Sequence, residues 1–149
     1  MSLNVFGLID VVGQALSVQQ ARLEVVSSNL ANAQTTRTPE GGPYRRRDVM
    51  LAETLPRDGF GAILGDSFSS PVRSVRVSGV RRDPAEPRLV YDPSHPDADA
   101  QGYVAYPNIN SVEEMVNLIT VMRSYQANIA AFSALRDMAM RTLNIGKGT

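Results

Sequence analysis

The sequence predicts a mainly α chain with a small β part, in which long N- and C-terminal helices pair as a coiled coil around a Pro/Gly-rich antiparallel β-hairpin or meander. Three observations predict this. All nine prolines lie between Pro39 and Pro107, and a proline costs about 3 kcal/mol inside a helix, so long helices are confined to the flanks. Both flanks repeat apolar residues every seven positions, the seam of helices packed lengthwise. The middle alternates turn signals with short apolar runs. The resulting division is an N-terminal helix at 1–34, a β-hairpin and linker region at 35–107, and a C-terminal helix at 108–149.

In the first flank Ile9, Leu16, Leu23 and Leu30 form one row, and Val5, Val12, Gln19, Val26 and Ala33 interleave with it. A further ridge, Val11, Val18 and Val25, makes the apolar stripe wider than one partner helix would cover. The rest of the surface is Gln14, Ser17, Gln20, Ala21, Ser27 and Ser28, and the only charges before residue 34 are Asp10, Arg22 and Glu24. A solvent-facing helix usually carries Lys and Glu, so this face reads as a second packing surface.

The middle is punctuated by Pro39-Glu-Gly-Gly-Pro43, Arg57-Asp-Gly59, Asp83-Pro84 and Asp92-Pro93. Between these lie apolar runs at Val49 to Leu51, Val72 to Val80, Leu89 to Tyr91 and Tyr103 to Tyr106, the pattern of short antiparallel strands. The second flank opens on Ser111-Val-Glu-Glu114, which has the spacing of a capping box. Met115, Met122 and Ile129 form one row and Leu118, Tyr125, Phe132 and Ala139 another, and Gly146 is placed to stop the helix. Asn117, Thr120, Ser124, Gln126, Asn128 and Ser133 are too many polar groups for a bilayer span. The two seams predict that Ile9, Val12, Leu16, Leu23, Val26 and Leu30 pack on Met115, Leu118, Met122, Tyr125, Ile129 and Phe132. Val11, Val18 and Val25 are then expected to face neighbouring subunits, as are Asn29, Asn32, Gln126 and Asn128.

Composition excludes several functions. The 149 residues suit one modest domain. Lys and Arg balance Asp and Glu at 15 each, against binding of nucleic acid or membrane by bulk charge. With no cysteine and one histidine, thiolate metal sites and most nucleophilic or acid-base chemistry are out of reach, and no Gly-rich phosphate loop occurs. No cofactor is expected, and no enzyme. The N-terminus lacks the basic segment of a secretory signal, so export is expected by another route. Asp92, His95, Asp97 and Asp99 are the one grouping that could hold a metal, and two prolines and an irregular spacing favour a rigid turn with capping aspartates. A soluble helical adaptor with a metal-dependent hairpin is the alternative function. Arg45-Arg-Arg47 is too short a basic run for nucleic acid. Pairing of Arg45, Arg46 and Arg47 with Asp92, Asp97 and Asp99, within a subunit or across a contact, is the expected use of both groups.

Ser27-Ser-Asn-Leu-Ala-Asn32, at the end of the first helix, together with Glu113-Glu-Met-Val-Asn-Leu-Ile119 and Arg123-Ser-Tyr-Gln-Ala-Asn128 in the last, resembles the paired terminal signatures of bacterial flagellar rod and hook proteins. Thr35 to Arg46, Val90 to Asp99 and Gly102-Tyr-Val-Ala-Tyr-Pro-Asn108 narrow the likeness to the proximal rod members. Residues 48–88 contribute nothing to it. The resemblance implies a structural subunit of the basal-body rod that carries torque from motor to hook. It implies terminal helices paired as an inner coiled coil and export by the flagellar type III apparatus without a cleaved signal. The implied partners are copies of itself, other proximal and distal rod proteins, the rod-to-ring adaptor and the motor ring, at the periplasmic rod and with no membrane insertion.

Overall fold

The computed structural model describes residues 5–54 and 74–146. Helix α1 spans Val5–Ala31, strands β1 and β2 span Arg47–Thr54 and Ser74–Arg82, β3 and β4 span Arg88–Tyr91 and Tyr103–Tyr106, and helix α2 spans Ser111–Gly146. The strands form two separate antiparallel hairpins, β1 with β2 and β3 with β4. The expected strands fall where the apolar runs lie, while Val72, the Arg57-Asp-Gly59 turn and Lys147 lie outside the described residues.

Helix α1 ends in a local polar cap. The Asn32 N–H and its side-chain amide both donate to the Ser28 carbonyl, at 3.0 and 2.9 Å, and the Thr35 hydroxyl donates to Asn32 Oδ1. Asn32, expected at a subunit contact, is therefore engaged in stopping its own helix. The chain then reverses through Thr38 to Gly42, closed by Gly41 N–H to Thr38 O and Thr38 N–H to Gly42 O. Gly41 and Gly42 have φ of 89° and 72°, a pair of left-handed residues that only glycine adopts without strain. Tyr44, two residues on, is buried, and its N–H bonds the Thr35 carbonyl.

β1 and β2 pair from Arg47 opposite Arg82 to Thr54 opposite Ser74, with a bulge at Met50 and Leu51. The shift arises because β2 carries one extra residue there, Ser78, whose hydroxyl donates to the Met50 carbonyl at 3.1 Å; Met50 and Leu51 are both exposed. In the second hairpin, Gly102 has φ of 81°, and a Cβ there would lie 3.0 Å from the Tyr91 ring. That close approach lets Tyr91 and Tyr103 meet edge to face at 5.3 Å.

α1 packs on α2 and on both strands of the first hairpin. Asn29, near the end of α1, meets Glu114 in the first turn of α2, so the helices run antiparallel. This arrangement corrects two expectations. Val18 is buried within the chain, because α1 is covered on two sides rather than one, and Val11 and Val25 are half-buried beside it. On α2 the inward rows are Glu114, Val121, Asn128 and Leu135 with Leu118, Tyr125, Phe132 and Ala139, all buried or half-buried. The second row is as expected, but the first is displaced by one residue: Met115, Met122 and Ile129 are 47, 46 and 43% exposed. Ile9, Val12, Leu16, Leu23, Val26 and Leu30 are all half-buried.

The cap of α2 also differs from the expected box. Asn110 Oδ1 accepts from the N–H groups of Val112 and Glu113 at 3.1 and 3.5 Å, and the Asn110 carbonyl accepts from Glu114 N–H. Asn110, not Ser111, is the N-cap, because the Glu114 carboxylate is turned into the protein instead of back toward the helix start. Replacing Asn110 by Ala is expected to lower stability by about 0.5–2 kcal/mol in thermal melts, whereas Ser111→Ala should leave the melting temperature nearly unchanged. Val121→Ala is likewise expected to destabilise measurably more than Met122→Ala, since only the former empties a buried position.

Candidate assembly surface and its polar anchor

The described residues that are most completely buried and polar converge where α1, the turn before β1 and the start of α2 meet. Asn29 is 0% exposed and Glu114 2%. The Asn29 amide donates to the Arg47 carbonyl at 2.8 Å and to Glu114 Oε2 at 3.4 Å. Its oxygen accepts from the Arg47 N–H at 2.9 Å and the Tyr44 hydroxyl at 3.2 Å. Asn29 thus treats the Arg47 peptide as a neighbouring strand would, and roots β1 on α1. The Ser28 hydroxyl lies 3.1 Å from that of Tyr44. Arg46 Nε donates to Glu114 Oε1 at 2.7 Å. Burial disfavours the charged Arg46 guanidinium, but the Glu114 hydrogen bond and charge, helped by Asp48 and Asp83, more than offset this and raise its pKa further.

Several expected partnerships are thereby corrected. Asn29 is spent inside the chain and is not available to a neighbour. Arg46 pairs with Glu114 rather than with the aspartates. Arg47 lies over the Tyr44 ring at 5.4 Å, and Arg45 is exposed. Together with Arg37 and Arg82, these two arginines line a half-open cleft of about 440 Å³ above the Thr38 to Gly42 turn, where Arg82 also pairs with Glu40 at 2.7 Å.

The aspartates serve the turn of the second hairpin. Asp92 Oδ1 accepts from the Ser94 hydroxyl and N–H at 2.6 and 3.1 Å, which holds its carboxyl below the usual pKa. Asp99 Oδ1 accepts from the N–H groups of Gln101 and Tyr103, both at 2.8 Å. His95 Nδ1 accepts from Asp97 N–H, and its ring stands edge to face against Tyr106 at 6.1 Å. Asp97 accepts from the Thr36 hydroxyl at 2.7 Å and lies 3.8 Å from Arg37, tying the hairpin to the segment after α1. No grouping suited to a metal ion occurs among the described residues, and the metal-dependent adaptor is not favoured.

The outer side of α2 is where apolar surface is left over. Val112, Val116 and Ile119 are 68, 58 and 52% exposed. At helical spacing they join Met115, Met122 and Ile129 into one stripe that also holds the exposed Gln126. Asn128, expected outward with Gln126, lies on the inward row instead. On α1 the exposed line is Asp10, Ser17, Gln20, Glu24, Ser27 and Ala31; it shares Ser17, Gln20 and Ser27 with the expected uncharged face but carries two charges, and Gln14, Ala21 and Ser28 are half-buried. No described helix is long and apolar enough to cross a membrane. A long amphipathic helix with its second face bare is the form of a subunit that completes its packing on other proteins. The sequence signal for the buried anchor was present but unused: an asparagine amid the apolar positions of a nearly uncharged helix.

Comparison with known proteins agrees with this form. Residues 9–37 match the family described as flagella basal body rod protein, and residues 100–145 match the C-terminal region described for flagellar basal body rod FlgEFG proteins. The flagellar basal-body rod protein FlgC of Bacillus subtilis is 41% identical, covering 97% of this chain and 100% of its own length. The FlgC proteins of Salmonella typhimurium and Borreliella burgdorferi are 40 and 37% identical, covering 97 and 98% of this chain and 98 and 100% of their own lengths. With likeness running from end to end, and with its helices carrying packing surface that the single chain leaves bare, this chain belongs to the FlgC family of flagellar basal-body rod proteins and is a structural rod subunit.

Proposed function

We propose that the chain builds the proximal rod by packing α2's outer stripe, and the polar line of α1, against copies of itself and other rod proteins, and that the assembled shaft carries torque from the motor ring to the hook. The observation that carries this is the apolar stripe from Val112 to Ile129, bare along five turns of a helix. Burying one such side chain is worth roughly 1.5–3 kcal/mol. Several per interface, repeated along the shaft, would resist shear without covalent links. Of the contacts expected from the sequence, Gln126, Arg45 and Arg47 remain as intersubunit candidates, together with Met115, Met122 and Ile129. Arg45 and Arg47 would meet acidic groups of a neighbour at the cleft, where exposed pairs worth at most about 1 kcal/mol each would set orientation more than strength. The distal rod, the rod-to-ring adaptor and the motor ring are the further partners on this reading, in a periplasmic rod reached through the flagellar type III apparatus without a cleaved signal. A shaft of this kind calls for no catalysis, cofactor, nucleic acid or direct membrane insertion.

Ile119→Asp is expected to leave the unfolding free energy of the purified chain within about 1 kcal/mol of the parent, as for an exposed site, yet to abolish rod assembly and motility. Normal motility in this variant would remove the stripe from the interface. Before assembly, the outer half of α2 should exchange amide hydrogens far faster than the Asn29 and Glu114 junction, because it has few buried contacts to hold it. Uniform slow exchange along α2 in the monomer would overturn this expectation.

A further inference from the structure

The apolar seam between the helices does not by itself fix how far one slides along the other. α1 offers Val11, Val18 and Val25, and α2 offers Phe132, Tyr125 and Leu118. A slip of one heptad exchanges one large apolar side chain for another, while moving the helices about 10 Å at 1.5 Å per residue. Rows built this way commonly leave register undecided until a buried polar group distinguishes one alignment from the rest.

Glu114 is that group here. It is 2% exposed in the first turn of α2 and is satisfied from two directions, by Asn29 on α1 and by Arg46 at the root of the first hairpin. In the observed register Asn29 opposes Glu114, so Val18, eleven residues earlier, comes opposite Tyr125, eleven residues later. Slipped by one heptad in the direction that brings Val121 to Asn29, the amide faces an apolar side chain and Glu114 passes beyond the end of α1. The Asn29 amide then loses partners while still inside protein, which buried polar groups rarely tolerate, and Glu114 is parted from Asn29. We propose that the Glu114 and Arg46 pair, seated on Asn29, is a register lock: its role is to choose one alignment of α1 and α2, and with it the placement of the β1 and β2 hairpin, rather than to add stability. Asn29 holds the root of β1 through the Arg47 peptide, so one junction fixes both the helix pair and the hairpin. The three are positioning residues for whatever surface the outer faces present.

The chain contains no cysteine, so introduced pairs report register without interference. Val18→Cys with Tyr125→Cys reports the native alignment, and Val18→Cys with Leu118→Cys or with Phe132→Cys reports the two slipped ones. Oxidation is carried out on the full chain in cells assembling basal bodies, and intrachain products are resolved by mass spectrometry. The parent should give at least about a tenfold excess of native over slipped product, corresponding to a bias of about 1.4 kcal/mol. The apolar replacement Glu114→Leu with Arg46→Met should bring the products toward parity while the melting temperature holds or rises, as apolar substitution of buried ion pairs often allows. Arg46→Lys, which keeps the charge, should keep the native excess. Native-only crosslinking in the apolar variant would show that the pair does not choose the register, and loss of its folded state would show a role in stability; either would overturn the lock. Absence of the native product in the parent would overturn it as well.

Discussion

The bond between the Asn29 side chain and the peptide of Arg47 is the constraint on which the rest of the arrangement hangs. Asparagine is a mediocre helix residue, and burying its amide unpaired would be costly. Here its oxygen accepts two hydrogen bonds and its nitrogen donates two. The cost of burial is thereby offset, and what results is directional: α1, the turn from Thr35 to Tyr44, β1 and α2 are each tied to the same side chain or its immediate neighbour. An apolar residue at this place could fill the volume, but it could not tell the start of β1 where to begin.

Beyond this junction the apolar core is thin. Among the described residues the buried hydrophobic side chains are Val18, Tyr44, Val104 and Val121, spread over both helices, one turn and one hairpin. Helix α2 runs for 36 residues, about 54 Å at the usual rise, and Met138, Met140 and Leu143 near its end are as bare as the stripe at its start. A chain so arranged buries little when alone and much when packed. On the proposed export route, the same scarcity would suit passage through a narrow channel, where a firmly cored fold would first have to be undone.

Much of this was legible in the sequence. The proline limits marked both helices, and the apolar runs at Val49, Leu89 and Tyr103 marked strands, because turn chemistry and pleat periodicity are local. The sides of the helices were read less well. Met115, Met122 and Ile129 are the more apolar row, and hydrophobicity alone places them inward. They face out because Glu114, one position earlier, has its partners waiting at Asn29 and Arg46, a tertiary fact with no local signature. The Val11, Val18 and Val25 ridge was expected to face neighbouring subunits, but Val18 is buried within the chain and Val11 and Val25 are half-buried, on a helix that packs on both α2 and the first hairpin. The aspartates near His95 were readable as turn caps, since Asp followed two residues later by a free N–H is a local motif. Their separation from Arg45 to Arg47 was not.

The two bare surfaces are unlike each other, and that difference bears on the form of the assembly. The outer stripe of α2 is apolar and is flanked by exposed Arg123 and, past its end, by Arg141, with Arg136 there paired to Asp137, whereas the exposed line of α1 is polar and carries Asp10 and Glu24. A two-fold dimer needs one patch that complements itself. Two identical apolar stripes could meet that way, but the arginines beside them would then face one another, and the α1 line would stay uncovered. Setting the stripe of one copy against the α1 line of the next brings opposite charges together and covers both surfaces at once. Such a contact is heterologous, and unless its rotation closes it propagates as a helix of subunits. The whole-chain balance of 15 basic against 15 acidic residues lets that propagation continue without accumulating repulsion, which a chain of strong net charge could not do. On the proposed role, the neutrality that excluded nucleic acid as a partner is thus a condition for stacking copies into a shaft.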